Sequence, residues 1–128
     1  MSSLPFVDEH VIHTRASAEK RRAAIAKVAH AMARKAAPRA FAALWHLEPA
    51  SGFAVEEETP ERVTLVGRHR FSRYELALEI DGDTVRARTS AEFPGVAGRL
   101  YRALVIGSGG HGLAVRSMLR KIRRRAER

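Results

Sequence analysis

The sequence predicts an α+β fold: an antiparallel β-sheet preceded by helices and followed by a long C-terminal helix. Three observations carry this prediction. Apolar residues recur with helical spacing after Ser17, switch to a period of two between Gly52 and Phe93, and return to helical spacing after Pro94. A short alternating run precedes the first helical segment. The last segment is an amphipathic helix with an apolar stripe on one side and arginines on the other. A chain of 128 residues is read as a single domain spanning 1–128.

The first element is "FVDEHVIHTRA". Its β-branched residues alternate, so a strand is expected with Phe6, Asp8, His10 and Ile12 on one face. Two short helices are expected next. Ser17 is positioned to cap the first, with Lys20 where a full capping box would carry a glutamate. Ile25, Val28, Ala29, Met32 and Ala36 share one face, and the basic residues Arg21, Lys27, Arg34 and Lys35 fall largely elsewhere. Pro38 ends or kinks this helix. "RAFAALWHL" continues as a second piece, stopped by Pro49 and Gly52.

The sheet follows. Phe53 and Val55 begin it, and "TPE" at 59–61 makes a turn. Val63, Leu65, Gly67, His69 and Phe71 then share one face, as do Tyr74, Leu76, Leu78 and Ile80 on the next strand. "DGD" at 81–83 is a hairpin signal. Val85, Ala87, Thr89, Ala91 and Phe93 complete the buried face. Glu75 and Glu79 point outward opposite the outward Arg86 and Arg88. A one-residue slip would send Leu76, Leu78 and Ile80 into water, so the register is firmly specified.

After Pro94, Val96, Leu100 and Leu104 suit a short helix, while Leu104–Ile106 also suits a brief strand. Leu113, Val115, Met118, Leu119, Ile122 and Ala126 form the final stripe, opposite Arg116, Arg120, Arg123 and Arg124.

The net charge is +9 and unevenly placed: from Arg116 to Arg128 there are seven basic residues and a single acid, Glu127. The outer arginines are either the solvated face of a helix or a contact for nucleic acid or an anionic surface. No aromatic residues interleave with them to stack on bases. Absence of cysteine excludes disulfides and thiolate chemistry. The histidines lack metal-ligand spacing, so neither a metal nor a cofactor is expected. "MSSLPFVDEH" lacks the basic and apolar regions of a signal peptide, and no apolar run approaches the ~20 residues of a membrane helix. A cytoplasmic setting is the expectation.

"LVIGSGGHG" at 104–112 matches the glycine spacing of a dinucleotide-binding loop. That motif needs parallel strands and a further strand bearing an acid, whereas the strands here read antiparallel. A turn and a helix start are expected instead. Amides at a helix start also hold anions, with His111 or Arg116 adding charge.

"VDEHVIHTRASAE", "GFAVEEETPERVTLVGRHRFSRYELALEI" and "EFPGVAGRLYRALVIGSGGHGLAVRSMLRKI" together resemble the helix-grip superfamily. This is the START-like or Bet v 1-like group that includes uncharacterised bacterial polyketide cyclase-like SRPBCC proteins. The resemblance implies a sheet curled around the C-terminal helix, enclosing a small, largely apolar ligand. It places Leu65, His69 and Phe71 on the cavity wall, with Tyr74, Leu76 and Leu78 beside them. Phe93, Met118 and Ile122 would complete the wall. His69 is the best candidate for an acid/base residue, since it faces inward and a histidine titrates near neutrality, with Tyr74 and Tyr101 able to share the role as hydroxyl donors to a ligand. A cyclase- or dehydratase-like enzyme using His69 is the alternative to simple binding. Nucleic-acid or anionic-surface binding by the basic helix is another.

Overall fold

The computed structural model describes residues 4–128. β1 (Phe6–His13) leads into α1 (Ala18–Arg34) and α2 (Arg39–Trp45). Four strands follow: β2 (Ala54–Glu58), β3 (Arg62–His69), β4 (Ser72–Asp81) and β5 (Thr84–Glu92). The chain then forms α3 (Gly95–Val105) and α4 (Gly110–Ala126). All strands join one open antiparallel sheet in the order β1-β5-β4-β3-β2, and α4 packs on it, so the fold class is α+β.

The alternation in the meander sets its register. Leu65 pairs with Leu76 and Val63 with Leu78, and across the next hairpin Leu78 meets Ala87 and Ile80 meets Val85. The turn of this hairpin is Gly82–Asp83, with glycine supplying a φ of +62°. Glu79 faces Arg86, as the charge pattern predicts, but Glu75 faces Ser90. The ion pairs themselves run toward the sheet edges: Glu79 to Arg62 at 3.3 Å and Arg86 to Glu9 at 2.9 Å. All four side chains are partly exposed, so each pair contributes little.

Ser17 caps α1, accepting the Lys20 backbone N–H at 3.2 Å. The helix spans 17 residues, the same as α4, so only α2 with 7 residues is short. Its alanine-rich sequence sustains the helix until the Lys35–Pro38 link. Ala24, Ile25, Val28 and Ala29 are its buried face, and Arg21 joins them at 9% exposure. The Arg21 guanidinium donates to the Ala16 carbonyl, which lets a charged group sit on a face otherwise free of bases. Leu65, Leu78, Val85, Leu119 and Ile122 are the largest fully buried side chains. Each such side chain stabilises the fold by roughly 1.5–3 kcal/mol.

Two elements depart from the sequence expectation. A register shift between Phe6 and Asp8 turns Phe6 outward, where it is 54% exposed with the Arg88 guanidinium 5.1 Å from its ring. Asp8, His10 and Ile12 keep the inner, partly buried positions. The segment 104–106 is not a strand; it ends α3. Val96, Leu100 and Leu104 are exposed, while Gly98 is buried and Tyr101 and Val105 are partly buried.

Candidate functional site

A recess of about 360 Å³ opens between the strands β3 to β5 and the helices α3 and α4. Its wall is mainly apolar: Leu76 and Phe93 come from the sheet side, Val105 and Ile106 from α3 and its end, and Val115 and Met118 from α4. The polar groups gather in two places.

The first is built on the end of β3. His69 stands at its last position, and the backbone N–H of Phe71 donates to Nδ1 at 3.1 Å. A ring nitrogen that accepts an N–H bond carries no proton, so the neutral ring carries its proton on Nε2. Nε2 lies 3.1 Å from the Tyr101 hydroxyl and therefore donates to it. Burial lowers the pKa of His69 below 6.5, which keeps the ring neutral. The Tyr101 hydroxyl accepts from His69 and makes no other hydrogen bond among the described residues. Its own proton has no protein acceptor among the described residues.

Tyr74 is arranged differently. It pairs across the sheet with Gly67, and its hydroxyl donates to the Gly52 carbonyl at 2.6 Å. Burial, and secondarily the neighbouring Tyr101, pushes its pKa up to about 12. Its proton is committed to the backbone. Burial also raises the pKa of Tyr101. Trp45, at the end of α2, closes the back of this cluster, its ring edge-on to His69 at 5.6 Å and to Phe71 at 5.4 Å.

The second polar group joins β1, β5 and the first turn of α4. His111 Nε2 lies 3.1 Å from Thr89 Oγ1 and 3.3 Å from Asp8 Oδ1. Asp8 Oδ2 is 3.2 Å from His10 Nε2. Oδ2 is the hydrogen-bonded oxygen of Asp8; Oδ1 lies within ion-pair distance of His111 but is buried with no hydrogen-bond partner among the described residues. Among the described residues no group of three or more such side chains is arranged to hold a metal ion.

The residues assigned to a ligand from sequence divide cleanly. His69, Tyr74, Leu76, Phe93 and Met118 stand on the recess wall. Leu65, Leu78 and Ile122 do not; they are fully buried in the core. Phe71 lies in the turn between β3 and β4, and its ring stacks on Tyr101 at 5.5 Å instead of lining the recess. His111 lines the recess, but its charged neighbour is the carboxylate of Asp8. Arg116 is exposed on α4, away from the recess wall. Of the two residues offered for an anion at the helix start, only His111 therefore faces the recess.

No known protein family matches this chain, and no curated protein does.

The glycine cluster resolves on geometry alone. It follows helix α3 rather than a strand, and Gly109, at φ +82°, is the N-cap of α4. A link between two helices cannot cradle a dinucleotide as a strand–turn–helix does. The sequence offered Tyr74 and Tyr101 as hydroxyl donors but not the bond between Tyr101 and His69, and it did not single out the meeting of Asp8, His10 and His111. Two polar residues on the inward face of the first strand were the available signal.

Proposed function

We propose that this chain binds a small, largely apolar molecule in the recess between its sheet and α3–α4, holding one acceptor atom of that molecule with the Tyr101 hydroxyl. One observation carries this reading: an apolar-walled space of about 360 Å³ presents a tyrosine proton that no group among the described residues accepts. The volume falls in the range of small-molecule sites, which are mostly apolar with a few placed polar groups. The order of strand, two helices, antiparallel meander, a further helix and a long C-terminal helix supports placing the chain in the helix-grip superfamily; a cytoplasmic setting, expected from the sequence, is proposed with it.

His69 serves this site as a positioning residue. Both of its ring nitrogens are engaged, one by a backbone N–H and one by Tyr101. A general base needs a lone pair facing the substrate, and His69 has none to offer there. The binding reading is therefore favoured over the cyclase- or dehydratase-like one.

The test compares an aromatic ketone with the hydrocarbon of the same shape, by calorimetry and thermal shift. The ketone should bind the wild type more tightly. Tyr101→Phe should weaken ketone binding about tenfold, the worth of one hydrogen bond, and leave the hydrocarbon unchanged. Ketone affinity unaffected by Tyr101→Phe, or no stabilisation by any apolar probe, would defeat the proposal.

A further inference from the structure

The segment from Phe93 to Ala126 contains eight lysines and arginines and no acid, so it supplies eight of the nine net positive charges. None of the eight has a carboxylate within ion-pair distance among the described residues. The same segment carries an exposed aliphatic ridge. Val96, Leu100 and Leu104, four residues apart on α3, are 72%, 63% and 73% exposed, and Leu113 on α4 is 64% exposed. Arg99 is exposed beside this ridge on α3, and Leu113 shares a helical face with Arg116, Arg120 and Arg124.

From this we infer that α3 and α4 form a docking surface for an anionic lipid bilayer, with the leucine ridge entering the headgroup boundary and the arginines meeting the lipid charge. An interfacial helix has this composition, apolar on one face and flanked by Lys and Arg. A second copy of the chain is a poor occupant, because a two-fold contact would set like charges against each other. Nucleic acid would leave the aliphatic ridge without a partner, and the tyrosine of α3 is turned toward the recess rather than outward. Among the described residues no helix is long and apolar enough to cross a membrane, so the contact is peripheral. It is independent of what the recess holds.

The experiment is co-sedimentation with vesicles of phosphatidylcholine alone or with about one third phosphatidylserine, at low and high salt. Binding is expected only to the phosphatidylserine vesicles and should fall with salt. The Leu100→Gln/Leu104→Gln variant should lose about tenfold or more in partitioning with an unchanged Tm, since both positions are exposed. Arg99→Gln/Arg116→Gln, a second pair of exposed sites, should lose about fivefold per charge. Four results would overturn the proposal. These are no partitioning into anionic vesicles at low salt, full partitioning by the leucine variant, complete displacement by duplex RNA with the leucines irrelevant, or a dimer abolished by that variant without vesicle binding.

Discussion

The proton of His69 has a fixed address, and that makes its titration visible. The folded ring has a pKa lowered from 6.5 by burial, so near neutrality the folded state binds fewer protons than the unfolded chain. Stability from this source is complete above the unfolded value and is lost as pH falls through the folded one. Protonation also removes the lone pair that accepts the Phe71 N–H. The wild type should therefore lose more Tm between about pH 7 and pH 5 than His69→Gln does. Parallel Tm profiles for the two proteins would contradict this account. The inward position of His69 was legible from parity along Val63, Leu65 and Gly67. Its partner was not, because Tyr101 arrives from a helix 32 residues later. Phe71 was misplaced for a local reason: "RHRFSR" holds no glycine, proline or asparagine to mark a turn, so the alternation was carried past the end of the strand.

At the scale of the element, the close approach of β3, β4 and the segment before β2 depends on a missing side chain. A Cβ at Gly67 would lie 2.1 Å from the Gly52 carbonyl oxygen and 2.7 Å from the Tyr74 hydroxyl. Gly67→Ala should therefore cost roughly 2–4 kcal/mol in denaturant unfolding and break the Tyr74–Gly52 bond. A loss below about 1 kcal/mol would mean that the strands separate more easily than their contacts imply. The meander was readable because each strand has one apolar face and register is set by that face. Helix α3 was not, because it carries two stripes. Val96, Leu100 and Leu104 match helical spacing, and so do Gly98, Tyr101 and Val105. Periodicity locates a face and does not say which of two will be covered; here the face with the small glycine fits against the body. The bulge that turns Phe6 outward leaves no trace in the alternation either.

Across the whole molecule, the far end of α4 is tied back to the start of the fold. Glu127 accepts from the buried Thr14 hydroxyl at 2.9 Å and from the Arg15 N–H at 3.3 Å. It is the one acid in a strongly basic segment, and its carboxylate serves this joint. Glu127→Gln weakens both bonds and should lower stability by about 1 kcal/mol, read as a fall in Tm at pH 7. An unchanged Tm would show that the helix end is held by its apolar stripe alone. The uneven charge was plain in the composition; the joint it surrounds was not. The strand order has a further consequence, in time. The hairpins β3–β4 and β4–β5 close over two-residue turns, whereas β1, first in the chain, pairs with β5. Closing that long loop costs entropy that the hairpins avoid. The meander is expected to zip first, with β1 and α4 adding afterwards. Val7, His111 and Met118 then reach the recess wall in the final steps, so capture of a ligand would report that folding is finished rather than begun.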